Sequence, residues 1–112
     1  LTQYTLAAER GNRSVATLSD GLDPTVLALV AEVCRGVPDG VDVAVCGDLA
    51  SDAAAATLLV GLGVRELSVT APAVPIVKAG LRATDLAGAE RLATRALSLS
   101  SAAEVRAMLG ST

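Results

Sequence analysis

Residues 41–70 read VDVAVCGDLASDAAAATLLVGLGVRELSVT, and this stretch decides the fold. Val41 to Cys46 is a short β-branched run, the form a buried strand takes. Gly47 to Asp52 is a polar turn. Ala53 to Leu62 then predicts a helix that is apolar almost all round and therefore buried, with Gly61 and Gly63 as its stop. Glu66 to Thr70 predicts a second strand. Strand, helix and strand within about 30 residues make a βαβ unit, with parallel strands and a right-handed crossover. Two parallel strands are not a viable sheet alone, because such sheets are covered on both faces and are larger. The missing strands are expected from the rest of a longer chain or from a partner molecule.

Working outward, Leu1 to Arg10 predicts a helix with Leu6 and Ala7 on one face, ended by Gly11-Asn12. Asn12 to Gly21 reads as a loop. Asp23 and Pro24 form a helix start, since Asp caps free N–H groups and Pro suits the first turn. Val26, Val30 and Val33 follow at helical spacing, and Gly36 to Gly40 closes that element. Beyond the second strand, Pro72 and Pro75 frame a loop, and Pro75 opens a helix running to Arg82. Thr84 is the expected cap of a helix from Asp85 to about Leu97. Ser101 and Glu104 fit a capping box, predicting a last helix to Met108.

At 112 residues there is room for one small domain, and at 52% apolar the chain is no disordered segment. Its apolar content is nearly all Ala, Leu and Val, with Tyr4 as the sole aromatic residue. Nine basic against 12 acidic residues give a net charge of −3. No basic run could neutralise phosphates along a duplex, which argues against nucleic-acid binding. The apolar stretches are too short to insert in a membrane, and no export or transit segment is visible, so a cytoplasmic setting is expected. Two cysteines make no disulfide framework. The absence of histidine removes the commonest general base and metal ligand, and with them any phosphohistidine carried by this chain. The opening at Leu1 without Met reads as a piece cut from something longer.

Cys46 ends the first strand and is followed at once by Gly47 and Asp48. Reactive groups gather at the carboxyl ends of parallel strands, where loops vary without disturbing the core. Gly47 lets backbone or substrate approach the thiol, and a nearby Asp48 carboxylate would disfavour the thiolate, leaving a proton donor. Position alone favours a small hydrophobe closing a buried strand. Cys34, beside Val33 and one turn after Val30, reads as core filler. Arg10 sits at a helix end beside Gly11, where its planar fork suits a phosphate or carboxylate. Taken unaided, an arginine that faces solvent and favours the helix dipole is the stronger reading. Asp42, Asp48 and Asp52 lack metal-ligand spacing, so no metal site is assigned within the chain. Arg82, Arg91, Arg95 and Arg106 read as a solvated surface.

Taken together, L-T-Q-Y at 1–4, E-R-G-N at 9–12, V-C-G-D-L-A-S-D at 45–52 and the stretch 58–67 resemble Enzyme I of the bacterial phosphotransferase system, the phosphoenolpyruvate-protein phosphotransferases. The similarity covers the chain nearly end to end. It implies that residues 1–112 are part of a phosphoenolpyruvate-binding TIM-barrel domain, the last quarter of a (β/α)8 barrel with its seventh and eighth strands. By this resemblance Cys46 protonates the enolpyruvate carbon to form pyruvate, and Arg10 binds the substrate phosphate. Mg²⁺ is implied for the parent enzyme, with its ligands upstream of Leu1. A phosphocarrier protein that feeds sugar uptake is the implied partner, engaged through another domain, and the barrel is implied to form a homodimer. Two departures keep the charge: Asp48 stands where the family usually has Glu, and Glu9 where it usually has Asp. The chain alone is expected to be inactive. Two alternatives remain: a segment of a pyruvate phosphate dikinase or phosphoenolpyruvate synthase, or a non-catalytic module for self-association.

Overall fold

The structure, a computed structural model, describes residues 1–9 and 11–111. Its centre is the helix α3 (Ala53–Leu62), which the sequence marks by four successive alanines. Asp52 starts it by accepting hydrogen bonds from the N–H groups of Ala54 (3.0 Å) and Ala55 (3.2 Å). Gly63 stops it in the left-handed region at φ 110°. On either side lie β1 (Ala44–Cys46) and β2 (Glu66–Ser68), paired in parallel with Val45 opposite Leu67. The expected βαβ unit is present, and Ala53–Leu62 has the predicted bounds.

Around this unit the chain places α1 (Thr2–Leu6) and α2 (Pro24–Gly36) before it, and α4 (Val74–Arg82), α5 (Leu86–Leu97) and α6 (Ala102–Gly110) after it. Short 3-10 turns occupy Ala16–Leu18, Asp48–Ser51 and Ala71–Ala73. α3 packs against α5 most extensively, then against α4 and α2. Six of its ten residues are buried. Its one buried polar group, the Thr57 hydroxyl, donates to the Ala53 carbonyl. Leu58, Leu59 and Val64 are fully enclosed together with Leu27 of α2 and Val105 of α6.

Several expectations are corrected. Gly61 does not break α3, which continues through it to Leu62. A Cβ at Gly61 would stand 2.0 Å from the Ala89 carbonyl oxygen of α5, so this glycine lets two helices approach closely. Both strands are shorter than predicted. The Val41 N–H closes a turn onto the Pro38 carbonyl, so the ladder begins only where the Val43 carbonyl accepts from Arg65 and Glu66. After Ser68, the Thr70 N–H turns to the Ser51 hydroxyl and the chain enters the Ala71–Ala73 turn.

The first helix ends at Leu6, short of Arg10, with Ala7 left-handed at φ 51°. It has five residues, no side-chain cap and no buried face, and helices that short are held only weakly. The helix start at Asp23-Pro24 is as expected, Asp23 accepting from the Thr25 N–H. However, α2 buries Val26, Leu27 and Ala31, while Val33 is exposed. α5 is capped by Asp85, which accepts from the Gly88 N–H, and not by Thr84. The Ser101 hydroxyl caps α6 at Glu104 as predicted, but the Glu104 carboxylate returns to the N–H of Ser100. α6 runs on to Gly110, past Met108.

The ladder has two different faces. Val45 and Leu67 pack against the core, while Ala44, Cys46, Glu66 and Ser68 on the other face are exposed. This is a mixed α/β arrangement with a small parallel sheet. Among the described residues no helix is long and apolar enough to cross a membrane.

Gly61→Ala is expected to destabilise the chain by roughly 1–3 kcal/mol or more, although Ala is the better helix former. Gly110→Ala, whose Cβ would meet nothing within 4 Å, should leave stability nearly unchanged. Urea unfolding of both variants measures the difference, and an unchanged midpoint for Gly61→Ala would rule out the close approach.

Candidate functional site

Cys46 is the last residue of β1, at the end from which both parallel strands leave the sheet. Gly47 follows at φ 92°, a conformation side chains rarely adopt, and swings the chain into the Asp48–Ser51 turn. That turn is fixed at both ends. The Ala50 N–H donates to the Gly47 carbonyl, Ala50 itself is fully buried, and Asp52 then caps α3. The thiol is therefore carried on a short segment anchored to the core. Cys46 is exposed, so it is not a small hydrophobe closing a buried strand.

A cleft of about 490 Å³ opens on this side of the molecule. It is lined by β1 with the preceding Val43, by the Gly47–Leu49 segment, by Val26, Val30 and Val33 of α2, and by Leu1, Thr2, Gln3, Ser19 and Gly21. The α2 side is apolar, and Thr2, Gln3, Ser19, Cys46 and Asp48 are the polar residues among the described lining of the cleft. Another cleft, of about 520 Å³ and lined by Arg91 and Arg95, lies between α3, α4 and α5 and shares no lining residue with this one.

Arg10, the second predicted site residue, lies outside the described residues. Cys34 packs against the core but is only partly buried, which corrects its reading as full core filler. Burial pushes its thiol above the ordinary value, against a smaller opposing effect of the Arg65 charge. Among the described residues no group of three His, Cys, Asp or Glu could hold a metal ion. The described residues do not fit the Mg²⁺ implied for the parent.

One feature near the site was invisible in the sequence. Arg106, assigned there to a solvated surface, reaches from α6 to Asp20, which lies 86 positions earlier. Its Nε donates to Oδ2 and its terminal NH₂ to Oδ1, each at 2.9 Å. Burial alone would raise the Asp20 carboxyl. The Arg106 hydrogen bond, the Leu22 N–H and the Arg106 charge outweigh it and hold that carboxyl below its ordinary value. No local pattern links two residues so far apart in sequence.

A family model described as "PEP-utilising enzyme, PEP-binding domain" matches residues 1–86. The chain is 46% identical over 109 residues to a multiphosphoryl transfer protein of Rhodobacter capsulatus, covering 96% of this chain and 13% of that protein. It is 46% identical over 110 residues to a phosphoenolpyruvate-protein phosphotransferase of Haloferax volcanii, covering 97% and 20%. It is 44% identical over 105 residues to a phosphoenolpyruvate-protein phosphotransferase of Borreliella burgdorferi, covering 93% and 18%. The chain thus spans a fifth or less of the length of these relatives.

The two thiols should react at different rates. Cys46 is exposed, while Cys34 is partly buried with its thiolate disfavoured, so maleimide should label Cys46 first and Cys34 only as pH rises above the usual thiol range. Peptide mass spectrometry over a pH series reads this out. Faster labelling of Cys34 at neutral pH would contradict the burial assigned to it.

Proposed function

The chain belongs to the PEP-utilising enzymes, as part of their PEP-binding domain, and on that premise we propose that it is the C-terminal quarter of a phosphoenolpyruvate-binding (β/α)8 barrel. The parent is a cytoplasmic phosphoenolpyruvate-protein phosphotransferase that moves a phosphoryl group to one of its own histidines and on to a phosphocarrier protein. Supporting this reading, its relatives carry that name or are multiphosphoryl transfer proteins. In a barrel, β1 and β2 become the seventh and eighth strands. Their uncovered face, with Ala44, Cys46, Glu66 and Ser68, then points inward, and upstream strands pair with their free edges.

The observation that carries the catalytic reading is the exposure of Cys46 at the carboxyl end of β1, where it lines a cleft. In the proposed reaction the bond between phosphorus and the enol oxygen breaks and one between phosphorus and the histidine nitrogen forms. The enolate of pyruvate remains. Cys46 then donates its Sγ proton to the methylene carbon, producing the methyl group of pyruvate, and the thiolate regains a proton from water. Arg10 holds the substrate phosphate. Gly47 keeps the approach to the sulfur open.

In the full-length parent, Cys46→Ala should leave phosphoenolpyruvate affinity nearly unchanged. Single-turnover pyruvate release should slow about 10²–10⁴-fold, the usual contribution of a positioned acid. Cys34→Ala should alter stability and leave the rate unchanged. Pyruvate release from Cys46→Ala at the normal rate would defeat the acid role.

Among the described residues β1 and β2 form a two-stranded sheet, which leaves an outer edge on each strand. The chain by itself should therefore self-associate at micromolar concentration, as sedimentation velocity would record. A compact monomer would mean that its helices already shield those edges.

A further inference from the structure

Ser19, Asp20 and Gly21 form a wall between two clefts. Ser19 and Gly21 line the cleft that holds Cys46, and they also line a second one behind it, of about 440 Å³. Asp20, Asp52 and Arg106 belong to the second cleft alone. The Asp20 carboxylate faces α6, where both oxygens receive the Arg106 guanidinium at 2.9 Å. A two-point contact of this kind fixes direction as well as distance. Oδ1 of Asp20 also accepts from the Leu22 N–H at 3.0 Å, locking the carboxylate to its own loop, and Leu22 is anchored in the core.

The wall in turn bears on the segment that follows Cys46. A Cβ at Gly21 would stand 3.1 Å from Cδ2 of Leu49, so the loop backbone rests directly on that side chain. Leu49 lies in the Asp48–Ser51 turn, two residues beyond Gly47. The contacts run without a gap from α6 through Asp20 and Gly21 to Leu49, and from there along the chain to Cys46. Asp48 and Asp52 also line the second cleft, and Arg106 is the one cation among its described lining residues.

We propose that Arg106 is a positioning residue for Cys46: by clamping Asp20 it holds the Ser19–Gly21 wall against Leu49 and so sets where the thiol stands. This rests on the reading of Cys46 as the reacting group. Arg106 itself does not line the Cys46 cleft.

The test uses the full-length parent with Arg106→Ala, Asp20→Asn, the double variant and Arg106→Lys. Two quantities are followed: single-turnover pyruvate release with phosphoenolpyruvate affinity, and alkylation of Cys46 by N-ethylmaleimide, read by peptide mass spectrometry. Each single variant should slow pyruvate release on the order of 10-fold at nearly unchanged affinity, as expected of a displaced reacting group. The double variant should be no worse than either single one, since both remove the same contact. Arg106→Lys should recover only part of the rate, because an ammonium cannot reproduce the fork. Cys46 alkylation should change in step while that of Cys34 stays constant. An unchanged Cys46 alkylation rate in Arg106→Ala and Asp20→Asn overturns the proposal, as do additive losses that follow the melting temperature. The acid role is judged separately by Cys46→Ala. Normal turnover there removes that role, whereas a shifted Cys46 alkylation in Arg106→Ala would still support positioning.

Discussion

A helix that is apolar on every side has to be covered on every side, and most of this structure follows from that demand on α3. Much of the buried surface is small: Ala55 and Ala56 of α3 and Ala89, Ala93 and Ala96 of α5 are all buried, and buried area per residue is correspondingly low. Compensation comes from proximity. Gly61 presents bare backbone to the Ala89 carbonyl, and the two helices come together closely enough for dispersion contacts to accumulate over their length. The sole aromatic side chain, Tyr4, takes no part, being 91% exposed.

Covering α3 also decides where chemistry is possible. The ladder supplies one of its walls through Val45 and Leu67, and strand alternation sends Ala44, Cys46, Glu66 and Ser68 the other way. The same packing that buries the helix therefore leaves a face of the sheet open, with the thiol at its carboxyl end. Caps make this placement firm. Asp52 ties the start of α3 to the turn after Cys46, and Gly63 ends the helix so that Val64 enters the core and β2 can begin.

Charge has a small part in the fold and a local one near the site. The Glu32–Arg35 pair is exposed on both sides and of the kind that contributes little. The Asp20–Arg106 pair differs because it joins distant parts of the chain with two-point geometry, and its carboxylate is partly sheltered. It closes the molecule by linking the last helix to the loop that precedes α2.

Local rules made much of this legible. Asp23-Pro24, Asp52 before the alanines and the Ser101–Glu104 box announce helix starts through short-range hydrogen bonds. The apolar run at 53–62 determined a buried helix, and the strand-helix-strand spacing determined parallel pairing. The position of Cys46 at a strand end, and the resemblance around it, were also present in the sequence alone. What failed to show were quantities set by neighbours distant along the chain. Gly61 reads as a breaker until Ala89 is known to lie against it, and Val33 reads as core until α2 is docked. Thr84 and Asp85 are both capable caps, and only the docked geometry brings the Asp85 carboxylate to the Gly88 N–H. Strand ends depend on which carbonyls meet a partner, and Asp20 and Arg106 become a pair only when α6 folds back over the loop. Sequence periodicity encodes contacts within a few turns, while those across 86 positions exist only once the chain has closed on itself.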